Sequence, residues 1–341
     1  MSGSENIGLK IFLNPEGELR CGWRILAFFF VMVVLTTLLG GLFGFIGILV
    51  PQIKEVLPGG SLIDRLTPYQ AVASLGIERT MLFVTTLAAS AICSRLLERR
   101  TLASVGYKFH RGWSRDFWLG SALGAASLCL AVAMAAIAGT MNLPLQQSSI
   151  ATLVINFTLL FLVFLIAAAF EEVLIRGFAF QAITHNLGPV VALVSTSVLF
   201  GVLHAANPNV TALSTINTML AGIWLGAAYL VTRSLWLATA LHYSWNLVMA
   251  FVFGLPVSGL TVYKSLAIID GSGNNPVWVS GGDYGPEGGV AATVALIICT
   301  LIVWKSGLFK PSEDMIAAIK HNSLNSQTES MIAKGNPEIS D

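Results

Sequence analysis

From Phe117 to Leu260 the chain carries only seven acidic, basic or histidine side chains: Glu171, Glu172, Arg176, His185, His204, Arg233 and His242. Continuous apolar runs of about 20 residues, this poor in charge, read as helices that cross a bilayer. The whole chain agrees. Of its 341 residues 55% are hydrophobic and 11% charged, against about 25% charged in soluble domains. The fold class expected is all-α, a polytopic membrane bundle. A net charge of +1 says nothing about nucleic acid, no basic aromatic patch is present, and no nucleic-acid partner is expected. Cys21, Cys93, Cys129 and Cys299 lie in or beside apolar runs without metal or disulfide spacing, and read as small buried hydrophobes.

Eight spans are expected, at about 23–50, 76–97, 117–139, 153–180, 189–204, 210–231, 235–254 and 290–304. The fifth and eighth are short. The first is too long for the h-region of a signal peptide, about 7–15 residues. Arg95, Arg99, Arg100, Lys108, Arg111 and Arg115 follow the second span, Lys10, Arg20 and Arg24 flank the first, and Lys305 and Lys310 follow the last. The positive-inside rule then sets both termini in the cytoplasm. The division expected is a cytoplasmic segment 1–22, a membrane bundle 23–304 with a motif-bearing core at 153–254 and a Gly/Pro-rich loop at 255–289, and a polar cytoplasmic tail 305–341.

The charges inside the spans carry the functional signal, because an ionisable residue at membrane depth is costly unless paired or wet. No charge precedes Glu171 and Glu172 back to Asp116. Residues four apart share a helix face, so Glu172 can pair with Arg176, Phe200 aligns with His204, and His242 aligns with Asn246. Glu171 points about 100° away from Glu172 and is left free. Depth is a harder match. Glu171 lies about 18 residues, roughly 27 Å, into its span, and His204 about 15 residues, roughly 23 Å, into a span running the other way. Tilt, or a start of the fourth span near Phe157, is needed to bring them level.

A carboxylate that is desolvated and unpaired suits a general base. A nearby imidazole can hold a water, and a second imidazole with a carboxamide can donate to an oxyanion. Glu171, His204 and His242 also form a two-histidine, one-carboxylate set suited to catalytic zinc. The sequence leaves both uses open. Taken singly, each group has an ordinary structural reading: Glu172/Arg176 as interhelical glue, Asn246 as an interhelical hydrogen bond, His204 as a satisfied core histidine, His185 as an interface residue, Glu78/Arg79 as an interface pair. Their joint occurrence favours a site. Other intramembrane protease signatures are missing. There is no His-Glu-x-x-His; Val257-Ser258-Gly259 lacks the first glycine of Gly-x-Ser-Gly; Ser280-Gly281-Gly282-Asp283 departs from Gly-x-Gly-Asp at its first position.

Glu-Glu-x-x-x-Arg (Glu171, Glu172, Arg176), Phe-x-x-x-His (Phe200, His204) and His-x-x-x-Asn (His242, Asn246), in that order, resemble the CAAX-protease and bacteriocin-processing family of type II CAAX prenyl endopeptidase-like intramembrane proteases. The stretches 253–259 and 281–287 look like a bacterial subgroup. The resemblance implies a glutamate-dependent endopeptidase of the bacterial cytoplasmic membrane. In it Glu171 activates water with help from His204, His242 and Asn246 form the oxyanion site, and Glu172 and Arg176 support them. Its partners would be a protein or peptide substrate and membrane lipid. A zinc-dependent version, a proton-coupled transporter and a non-catalytic scaffold or immunity protein are the alternatives. No repeat symmetry or matched pair of broken helices favours the transporter.

Overall fold

The computed structural model describes residues 11–14, 17–49 and 67–316. Most of the expected N-terminal segment and all of the tail beyond residue 316 lie outside them. Nine helices of ten residues or more are present among the described residues: α1 (Cys21–Leu49), α2 (Pro68–Leu97), α3 (Trp113–Ile137), α4 (Ile150–Arg176), α5 (Phe178–Leu187), α6 (Pro189–Leu203), α7 (Ala212–Thr232), α8 (Leu235–Leu247) and α9 (Val290–Lys305). Six stretches are long and apolar enough to cross a membrane: Cys21–Ile46, Pro68–Leu97, Trp113–Ile137, Ile150–Leu187, Ala212–Thr232 and Leu235–Val252. The fifth and eighth expected spans are the shorter apolar helices Pro189–Leu203 and Val290–Lys305. The molecule is a polytopic helical bundle.

Two boundaries differ from the hydropathy reading for local reasons. The second span begins eight residues earlier than Gly76. Thr67 forms a capping box with Gln70, and Pro68 stands in the first turn, where a missing N–H costs nothing. The fourth span does not run on as one helix. α4 stops at Arg176, and Gly177 turns the chain into α5 with φ −73° and ψ −120°. A Cβ on Gly177 would overlap the Val173 carbonyl oxygen, so the break needs glycine. It sets Arg176 at the end of α4, one turn beyond Glu172.

α8 is the central post. Every residue from Leu235 to Trp245 except Trp236 is buried, as in a helix surrounded on all sides. α3, α4 and α7 pack around it. α6 packs on α7, α2 on α4, and α9 closes over α3 and α7. α1 lies outermost, with Phe30 70% and Leu38 67% exposed, an apolar surface that only lipid would cover. A π-helical turn, Val248–Val252, continues α8. Residues 253–289 then fold back on the bundle, pairing Met141–Asn142 (β1) antiparallel with Ser272–Gly273 (β2).

Small residues let α3 reach α8, as is usual between membrane helices. A Cβ on Gly124 would overlap Ser244 Oγ and the Leu241 carbonyl oxygen. The carbonyl belongs to the helix backbone and cannot rotate away. Gly124→Ala is therefore expected to lower the unfolding temperature in detergent, with an overpacking cost of about 1–3 kcal/mol. It should also weaken activity by displacing the helix that carries His242. An unchanged melting temperature would show that α8 is free to shift.

Candidate active site

The site starts from the last turns of α4. Arg176 Nη1 donates to Glu172 Oε1 at 3.1 Å, and both side chains are 0% exposed. Arg176 Nη2 donates to the Gly222 carbonyl of α7 at 3.0 Å. The Arg176 guanidinium carbon lies 4.7 Å from the Phe200 ring centroid, a cation–π distance. Phe200 also contacts the ring of His204 at 4.6 Å and that of His242 at 6.0 Å between centroids. The ion pair thus ties α4 to α6 and α7, and Phe200 sets both imidazoles against it.

Glu171 faces the other way, and its side chain is 22% exposed. His242 Nε2 lies 3.7 Å and His204 Nε2 3.9 Å from Glu171 Oε2. α4 begins at Ile150, seven residues before Phe157, so a late start is not what brings the two residues together. Glu171 lies near its end, level with His204 at the end of α6.

Hydrogen bonds fix the ring tautomers. His204 Nδ1 is 2.8 Å from the Phe200 carbonyl oxygen, which can only accept, so Nδ1–H donates. His242 Nδ1 is 2.9 Å from Glu172 Oε1 and donates likewise. A neutral His204 then aims its Nε2 lone pair at Glu171, and His242 turns its Nε2 to the same oxygen. Glu171 Oε2 is itself buried with no hydrogen-bond partner among the described residues. That oxygen and the His204 lone pair meet where a proton donor belongs, and an orphaned buried oxygen of this kind calls for a functional explanation.

A cavity of about 320 Å³ opens beside these groups, walled by Glu171, His204, His242 and Asn246. All four residues expected to do chemistry are therefore gathered at one cavity, while His185 is not in its wall. The sequence reading missed several other polar residues there, among them Arg79, Asn217, Thr218, Ser258 and Glu287. Glu287 Oε2 accepts from the Ser258 backbone N–H at 2.8 Å and from its hydroxyl at 2.7 Å; Oε1 accepts from Trp245 Nε1 at 3.2 Å. Burial first, and the Glu287 charge second, push the phenol of Tyr263 well above its ordinary pKa, so it remains a neutral O–H. Arg79 corrects an expectation. A helix start at Gly76 makes it half of an interface pair with Glu78. With the cap at Thr67 it stands roughly 17 Å into the helix, on the cavity wall.

Zinc would need Glu171, His204 and His242. Among the described residues no group of three His, Cys, Asp or Glu side chains is gathered closely enough to hold a metal ion. The donors do not fit a chelate as they stand.

The fold and these side chains define a helical membrane protein with a carboxylate–imidazole constellation in an internal cavity. Residues 153–248 match the family model described as type II CAAX prenyl endopeptidase Rce1-like. The matched stretch runs from α4 into the turn after α8 and holds every residue of the three motifs. Over that stretch, a little over a quarter of the chain, the protein is similar to CAAX-protease-like membrane proteases. No curated protein and no solved structure matches the chain.

Proposed function

We propose that the protein is a glutamate-dependent intramembrane endopeptidase that cleaves a membrane-associated protein or peptide of a bacterial cytoplasmic membrane. The convergence of the Glu171 carboxylate with two imidazole nitrogens at 3.7 and 3.9 Å carries this reading. Those separations are too long for direct hydrogen bonds and suit one water touching both carboxylate and ring.

Glu171 takes a proton from that water as its oxygen attacks the peptide carbonyl carbon, and His204 Nε2 orients the water. The carbonyl π electrons move to oxygen. That oxyanion accepts hydrogen bonds from the Asn246 amide and from His242 Nε2–H. His242 donates there as an imidazolium. Around the cavity Glu171, Glu172 and Glu287 face Arg79 and Arg176, and one imidazolium balances the charge. Glu171 then delivers the proton to the leaving amine as the carbon–nitrogen bond breaks. The products are a carboxylic acid and an amine, with one water consumed.

Cleavage of a peptide library by purified protein in detergent, read by mass spectrometry, tests the reading. Glu171-dependent products support it, whereas Glu171-dependent ion flux in liposomes without proteolysis would point to a transporter. Asn246→Ala should lower kcat about 10²–10³-fold with little change in KM, as for other single oxyanion donors. A KM effect alone would move Asn246 from the transition state to ground-state binding.

A further inference from the structure

Arg79 and Glu287 are the charged residues of the cavity wall that this hydrolysis leaves without a direct role. Glu287 is held by three donors and straps the 253–289 segment to α8. Arg79 is not held. A guanidinium offers five N–H donors, yet among the described residues it makes no hydrogen bond or ion pair, and the Glu171 carboxylate acts on it only as a charge at longer range. Its contact is the ring of Phe170, with the guanidinium carbon 5.9 Å from the centroid. Phe170 directly precedes Glu171, so the guanidinium packs on the neighbour of the proposed base.

Depth selects the kind of anion. Arg79 is roughly 17 Å from the start of α2 and roughly 27 Å from its end, at ~1.5 Å per residue. Lipid phosphates lie at the surfaces of a core about 30 Å thick. A cation this deep without a hydrogen-bonded partner is costly, and a fork of N–H donors matches a carboxylate in a bidentate pair. The cavity, at about 320 Å³, is at the small end for ligand pockets. It has room for a few residues of peptide beside Glu171.

We propose that Arg79 is a specificity-determining residue that anchors a carboxylate of the peptide substrate, from a free C-terminus or an acidic side chain, beside the scissile bond. The inference rests on the peptidase reading only in that the substrate enters the Glu171 cavity. Dansyl-tetraleucine as the free acid, its C-terminal amide, and an amide of the same length ending in glutamate are the binding probes, read by dansyl fluorescence on the Glu171→Gln protein. The acid should bind at least tenfold more tightly than the neutral amide. The glutamate amide will match the acid if a side chain suffices, and the neutral amide if a terminus is required. Arg79→Gln should bring all three to the neutral level, and Arg79→Lys should keep part of the preference. In cleavage of an acid and amide pair taken from the library, Arg79→Gln should raise KM for the acid with kcat held within about twofold.

Equal binding of acid and neutral amide by the protein with Arg79 intact overturns the proposal, and so does an Arg79→Gln protein that keeps the preference. That first comparison does not depend on the folding of any Arg79 variant. Arg79-dependent binding without Glu171-dependent cleavage would instead refute the peptidase reading and leave the subsite standing.

Discussion

Glu171→Gln is expected to abolish cleavage, with kcat lowered about 10²–10⁴-fold, the usual contribution of a positioned general base. The melting temperature in detergent should stay level or rise. The amide keeps the shape of the carboxylate, so the cavity is preserved. It also brings an N–H₂ group toward the Nε2 atom of His204, which lies 3.9 Å from the oxygen it replaces. The native oxygen is buried without a partner, so the substitution relieves an unmet hydrogen-bonding demand. Opposite movement of activity and stability is the mark of a site held in a costly state for chemistry. Library cleavage and thermal unfolding on one preparation check both halves. Wild-type cleavage by this variant would remove Glu171 from the base role, and a large drop in melting temperature would make it a structural acid.

The bundle was legible because hydropathy alone identifies long apolar helices, and six of the eight expected spans have that length. The i,i+4 spacing also foretold the Glu172–Arg176 ion pair. What hydropathy could not supply was where helices begin and what lies opposite what. The capping signal Thr67-Pro68-Tyr69-Gln70 was in the sequence. Read as a helix start, it would have moved Arg79 from a membrane surface to membrane depth. Glu287 and Ser258 had no comparable signal. They come from a Gly/Pro-rich segment without periodicity, and reach the cavity only because the chain turns back after α8. His242 was placed on one face with Asn246, but its bond to Glu172 Oε1 joins α8 to α4, and no single-helix rule reports a contact between helices. The second glutamate therefore does more than neutralise Arg176: it orients an imidazole in the site.

Arg176→Met should be the most destabilising of these substitutions. It leaves Glu172 buried at 0% exposure with only the imidazole of His242 against it. Removing one partner of a buried ion pair costs about 3–5 kcal/mol, because the remaining charge is uncompensated. The same change strips Phe200 of its cation and Gly222 of its donor, loosening α6 and α7 together. The double variant Glu172→Gln, Arg176→Met removes both charges and should recover much of the lost stability, since a neutral amide is far cheaper to bury. It should not recover activity, because His242 loses the carboxylate that orients its ring. The two singles and the double form a thermodynamic cycle whose coupling term reports the pair directly. Near-zero coupling in detergent unfolding would mean that Glu172 and Arg176 act separately. Cleavage restored in the double variant would mean that the ion pair holds the helices and has no part in aligning the imidazole.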